Sequence, residues 1–193
     1  MTRFDIYLTG VGGQVIGLLS EVIIRAGDHA GLPVSGVDTH GLAQRGGMVV
    51  SHVRFGSQRT TPLIRQGAAD LVIALEISEA MRALHSHASP GGTLVFYDTT
   101  WQTLGARLGN ESPPSREGLE EACRKEQVRS IAVRKDDLED ARMQNMVLLG
   151  AIAREELIPG IEREHYEKAM DDLMAGSMLE ANLRVFREML QGS

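Results

Sequence analysis

The stretch FDIYLTGVGGQVIGLLSEVIIRAG, Phe4 to Gly27, constrains the fold more than any other part of the chain. Phe4 to Gly10 alternates and stops on glycine, as a strand does. From Val15 the period changes: Val15, Leu18, Leu19, Val22, Ile23 and Ala26 recur at helical spacing and define one buried face. Gly31 and Pro33 then turn the chain, and LPVSGVDT (Leu32 to Thr39) reads as a second strand. A strand, a helix and a strand in this order predict a crossover with parallel strands, their sheet covered by helices.

The rest of the chain extends this pattern. MVVSHVRFG (Met48 to Gly56) alternates, with Val50, His52 and Arg54 on one side, and His52 is expected to face outward. ADLVIALE, ending at Glu76, is a short apolar run suited to a strand buried on both faces. ISEAMRALHSHA reads as a helix stopped by SPGG, and TLVFYDT and VRSIAVR read as further strands. Leu104 to Gly118, rich in glycine and proline, reads as an exposed loop. Helices follow from Asp140 onward, broken at Pro159-Gly160 and resuming over Glu162–Leu173 and Leu179–Leu190. The expectation is one α/β domain over residues 1–193, with a Rossmann-like, mostly parallel sheet flanked by helices. From about residue 160 to 193 it carries a helical tail.

Composition excludes several functions. Net charge is −6 and no long run of Lys or Arg occurs, which argues against a nucleic-acid surface. Cys123 is the single cysteine, so the chain alone cannot build a disulfide, an iron–sulfur cluster or a thiolate zinc site. No stretch approaches the ~18 apolar residues of a membrane span, and the start has no apolar targeting core; a cytoplasmic location is expected.

Two stretches carry candidate chemistry. In LTGVGGQV, Gly10, Gly12 and Gly13 sit between strand and helix, where backbone amides and the helix dipole suit a phosphate or carboxylate. Asp38 ends the second strand, where a ribose-binding acid would stand. A dinucleotide fingerprint would place a third glycine at Val15, however, and no Lys-Ser/Thr follows for a Walker-type loop. The competing reading is a tight strand-to-helix turn. In THGLAQRGG, His40, Gln44 and Arg45 offer an imidazole, an amide and a fixed cation, among Gly41, Gly46 and Gly47. Arg45 can clamp a carboxylate or phosphate through paired N–H groups, or simply pair with a surface acid. His85 and His87 lie two apart on a helix and do not share a face, so they read as solvated or capping residues rather than metal ligands. Cys123 lies in a charged helix without a histidine partner. Met170, Met174 and Met178, spaced one turn apart, suit core packing or a partner contact.

Together, GVGGQ, HGLAQRGGMVVSHVRFG (His40 to Gly56) and NMVLLGAIA (Asn145 to Ala153) resemble the gamma-type subunit of 2-oxoacid:ferredoxin oxidoreductases, in the form found in the indolepyruvate enzymes. That resemblance implies a subunit in the oxidative decarboxylation of a 2-oxoacid, such as an arylpyruvate, to an acyl-CoA with reduction of ferredoxin. Thiamine diphosphate, iron–sulfur clusters and coenzyme A would serve the complex, with none bound by this chain alone. The partner implied is a larger thiamine/iron–sulfur subunit, giving a hetero-oligomer in the cytoplasm; isolated, the chain could pair with itself. Carried over as coenzyme A, substrate or interface candidates are Gly10, Gly12, Gly13 and Gln14, with His40, Gln44, Arg45, Gly46 and Gly47; no catalytic residue or metal ligand is assigned. The family commonly has glycine after Gln14, where this chain has Val15, which bears on the loop conformation. The alternatives are a stand-alone NAD(P)-binding oxidoreductase using Gly10, Gly12 and Asp38, and a structural subunit without a ligand.

Overall fold

The first strand, β1 (Phe4–Val11), is buried at every residue after Phe4. Such a strand needs neighbours on both edges and cover on both faces, and it has them. In the computed structural model, which describes residues 3–39, 47–56, 61–100 and 114–192, β1 lies third in a six-stranded sheet. The remaining strands are β2 (Val34–Thr39), β3 (Met48–Phe55), β4 (Ala69–Ala74), β5 (Ala88–Tyr97) and β6 (Arg129–Val133), in the order β2-β3-β1-β4-β5-β6. β1, β4, β5 and β6 pair in parallel, whereas β3 runs antiparallel to both β1 and β2. The expected crossover is therefore present with β3 inserted in it: β1 and β2 point the same way but do not touch.

Each face has its own core. Ile6 and Leu8 point toward α1 (Ile16–His29), α4 (Gln144–Arg154), α5 (Arg163–Leu173) and α6 (Gly176–Leu190). Tyr7 points the other way, toward α2 (Ile77–Ser86) and α3 (Arg116–Lys125). The helical tail is part of the first core rather than an appendage. α5 packs on α1, α6 packs on α4, and Tyr166 and Phe186 are fully buried with ring centroids 6.0 Å apart. Met170 and Met174 are core residues, as the packing reading expects, while Met178 is half exposed.

Three local expectations change. β5 begins at Ala88, so Ser89 to Gly92 belong to the strand, beside an irregularity in its pairing with β4. The last residues of the proline-rich segment open α3, which Ser115 caps by accepting the Gly118 amide at 3.1 Å; residues 101–113 lie outside the described residues. His52 does not face outward. It is buried, as are Val50 and Arg54, because the chain after β3 returns across that face. Alternation in a strand reveals two faces, not which of them is covered.

Candidate functional site

Parallel strands deliver their carboxyl ends to one edge of a sheet, where open α/β folds place their ligands. Here that edge collects the Gly12–Val15 turn after β1, Leu75 and Glu76 after β4, and Asp98 and Thr99 after β5. Because β3 is antiparallel, it starts at the same edge. Gly47, just before β3, thus lies beside the turn after β1. The Gly12 amide donates to the Gly47 carbonyl at 2.8 Å, so the two candidate loops are joined backbone to backbone. His40, Gln44, Arg45 and Gly46 lie outside the described residues; Gly47 is described.

Within the first loop, Gln14 is turned inward and nearly buried. Its Oε1 accepts the Val11 amide at 2.7 Å, its Nε2 donates to the Leu75 carbonyl at 3.2 Å, and its own amide donates to the Val11 carbonyl at 3.1 Å. The side chain thereby ties the turn to the end of β4. Gly10 makes room for it: a Cβ there would sit 2.7 Å from Gln14 Oε1 and 2.9 Å from both Ile16 Cδ1 and Leu75 Cβ. Gly13, at φ 106°, has open space on its Cβ side. Asp38 is engaged by α1, where Ser20 Oγ lies 3.2 Å from its Oδ1. Val15, the residue before α1, has no side chain that can cap the helix.

Two acids at this edge escaped the sequence reading. Glu76 is buried and caps α2, accepting the Ser78 amide at 3.0 Å and the Glu79 amide. Glu79, also buried, accepts from Thr9 Oγ1 at 3.4 Å and pairs with Arg82. Burial pushes the Glu79 carboxyl up against the opposing pull of Arg82, and Glu76 adds to the rise. The E-x-x-E spacing just before a helical apolar pattern was the available signal, since a helix start favours acceptors there.

The other candidates fall away from the edge. Cys123 is buried, and burial first, then Glu126 and Glu120, push its thiol up to about 11. An unactivated thiol of this kind is a poor nucleophile. His85 pairs with Glu126 at 2.5 Å, and His87 is the C-cap of α2. Among the described residues, no group of three or more His, Cys, Asp or Glu side chains is placed to hold a metal ion. No helix among them is long and apolar enough to cross a membrane.

The family profile of pyruvate ferredoxin/flavodoxin oxidoreductases matches residues 5–191. The chain belongs to this family. It is 35% identical over 191 residues to the indolepyruvate oxidoreductase subunit IorB of Archaeoglobus fulgidus, covering 96% of this chain and 92% of that one. The Methanothermobacter thermautotrophicus protein of the same name is 32% identical, at 96% and 95% coverage. In fold, the chain is similar to the gamma subunit of a keto/oxoacid ferredoxin oxidoreductase from Geobacter sulfurreducens, with TM-score 0.69, 21% identity, and coverage of 99% and 96%. A 2-oxoglutarate:ferredoxin oxidoreductase from Magnetococcus marinus contains the same fold in 32% of its chain, at TM-score 0.68 and 18% identity; that structure holds 2-oxoglutarate, coenzyme A and succinyl-CoA.

In this member of the pyruvate ferredoxin/flavodoxin oxidoreductase family, Val15 closes the turn and precedes α1. Val15 has φ 57° and ψ 43°, the left-handed conformation that glycine adopts freely. A β-branched residue there carries a strain of about 1–2 kcal/mol. Val15→Gly is expected to relieve that strain. After the greater freedom of glycine in the unfolded chain is subtracted, a net gain of about 0.5–1 kcal/mol remains. A rise in the urea midpoint at unchanged slope would show it; a fall would mean that the Val15 side chain contributes more than its backbone costs. The third family segment also reaches this turn. Asn145, at the start of α4, directs Nδ2 toward the Val15 carbonyl at 3.5 Å, while its buried Oδ1 has no hydrogen-bond partner among the described residues. Val15, Leu18, Met143, Asn145, Met178 and Asn182 are among the residues lining a crevice of about 200 Å³.

Proposed function

We propose that this chain is the non-cluster subunit of a thiamine-dependent 2-oxoacid ferredoxin oxidoreductase acting on indolepyruvate or another arylpyruvate. Residues 1–193 form its one gamma-type domain, and the complex oxidatively decarboxylates the 2-oxoacid to an acyl-CoA and passes electrons to ferredoxin. The relatives named as indolepyruvate oxidoreductase subunits support the substrate class. The observation that carries the site is the Gly12–Gly47 bond, which unites both motif loops at the carboxyl edge of the sheet.

The donor set divides the labour. With a single buried cysteine, the chain does not fit an iron–sulfur cluster, so clusters and thiamine diphosphate belong to the larger subunit. Coenzyme A suits the chain better: the start of α1 beside Gly13, which Val15 leaves without a side-chain cap, offers backbone amides and a positive dipole end to an anionic group. Arg45, with His40, Gln44, Gly46 and Gly47, supplies the cationic side of that entrance, while Gly10, Gly12 and Gln14 hold its shape. Coenzyme A supplies the thiol that accepts the acyl group; this chain orients it and helps exclude water. The assembly is a hetero-oligomer in the cytoplasm.

Co-expression with the larger subunit tests the reading. The two chains should purify together and oxidise indolepyruvate in a coenzyme A-dependent manner with a dye acceptor. In that complex Arg45→Ala should lower turnover at least about tenfold by removing a charge-assisted clamp. Unchanged turnover would remove Arg45 from the entrance. Purification without a thiamine/iron–sulfur partner, or tight NADH binding by the chain alone, would overturn the proposal.

A further inference from the structure

After β3, the described chain resumes at Thr61 and lies across the face of that strand opposite α1. Two side chains of β3 hold it. Arg54 donates to the carbonyls of Thr61 and Leu63, the latter at 3.3 Å, and His52 Nδ1 accepts the Ile64 amide at 3.2 Å. Within this strap Ile64 is buried and Leu63 is half exposed. At its far end the Gly67 amide donates to the Ser86 carbonyl at 3.0 Å and the Ala69 amide to the His87 carbonyl at 2.8 Å. The strap is therefore fixed at both ends, and its middle amide rests on one imidazole nitrogen.

That nitrogen accepts only while it carries no proton. The groups around it bear on whether it gains one. From β1, Tyr7 meets the His52 ring edge-on at 5.1 Å and stacks on His87 at 3.8 Å, with an angle of 11° between the planes. His87, at the end of α2, lies 5.9 Å from His52, with its Nδ1 2.8 Å from Ser86 Oγ. On β3, the Arg54 guanidinium is paired with Asp5. Glu79 of α2 lies beyond Tyr7, close enough to act on its hydroxyl, and Arg65 on the strap is exposed. No carboxylate is hydrogen-bonded to the His52 or His87 ring among the described residues.

We propose that residues 61–66 form a proton-released latch: protonation of His52 removes the acceptor of the Ile64 amide, sets N–H against N–H, and frees the middle of the strap from β3. Burial first, then His87 and Arg54, hold the His52 imidazole below its ordinary range. The neutral ring's stabilisation is therefore complete above the unfolded-state value of about 6.5 and is lost as pH falls from there through the lower folded-state value. The bonds from Arg54 to Thr61 and Leu63 do not titrate in this range, so the opening is local to Ile64 and its neighbours. The latch stands apart from the proposed enzymatic role, and its test needs neither partner nor substrate.

Hydrogen exchange on the full chain at about pH 7.5 and about pH 5.5, corrected for intrinsic rates, should show the amides of Ile64 and Arg65 opening at least about tenfold more at the lower pH. The amides of α1 should change little. His52→Gln, whose Oε1 can accept the same amide without titrating, should abolish the difference. In parallel, the His52 ring protons should titrate in NMR below the ordinary imidazole value of about 6.5. A flat wild-type response, an undiminished response in the folded His52→Gln variant, or a His52 midpoint at or above the ordinary value would overturn the proposal. If the variant does not fold, the wild-type exchange and ring titration decide alone.

Discussion

Arg54→Met is expected to destabilise the protein by about 3 kcal/mol, at the lower end of the range for breaking a buried ion pair. Its partner Asp5 is fully buried, with Arg54 Nε 2.7 Å from Oδ1 and NH2 3.2 Å from Oδ2. Arg3, itself half exposed, also pairs with Asp5, and this remaining cation keeps the loss from reaching the top of the range. Burial pushes the Asp5 carboxyl up, but hydrogen bonds from Arg3 and Arg54 outweigh it and hold the group below its usual value. The pair's contribution is thus complete above the unfolded carboxyl value of about 3.9 and is lost as pH falls through the lower folded-state value. Urea titrations should show the full deficit of Arg54→Met near neutrality and a shrinking one in strong acid. Adding Asp5→Leu should restore much of the loss, because an apolar pair of similar volume removes the stranded charge. A neutral effect of the single substitution would mean that water reaches Asp5.

Gly150→Val is expected to cost about 3 kcal/mol, through overpacking where two helices meet. A Cβ on Gly150 of α4 would lie 2.5 Å from Met189 Cβ and 2.9 Å from the Phe186 carbonyl of α6. Neither atom is the free end of a side chain, so the helices themselves must part. Local propensity argues the opposite way, since alanine in a helix interior is favoured over glycine by about 1 kcal/mol. Gly150→Ala should accordingly still destabilise, by less than the valine variant. Thermal melts of both rank the effects, and an alanine variant as stable as the parent would show that α6 moves away freely.

Much of the fold was legible because buried strands and one-sided helices leave periodic traces. β1, β4 and α1 are such elements. The insertion of β3 between β1 and β2 was not legible, because alternation carries no direction and pairing is decided between segments distant in sequence. His52 was misplaced for a related reason: its face is covered by a strap that has no periodic signature of its own. At the site, glycine spacing correctly marked the turn after β1 but not that Gly12 and Gly47 bond to each other. The engagement of Gln14 inside the turn was equally hidden, since an amide looks the same in sequence whether it meets a ligand or its own backbone. Glu76 was passed over as the polar end of an apolar run, and Glu79 as one residue of the helix that follows. Their burial follows from packing of α2 on the sheet, which a local reading does not contain.

The bond between Gly12 and Gly47 joins two stretches of main chain, so among single replacements only Gly12→Pro, which lacks the donor, deletes it outright. A one-residue slip of β3 against β1 would also break it, but would turn every residue of that strand to the opposite face. Selection acting on residues 40–46 can therefore exchange their side chains while Gly47 stays bonded to the turn after β1. The edge works as a constant mount with interchangeable fittings, and divergence in substrate or partner within such a lineage can proceed by loop replacement without renegotiating the fold.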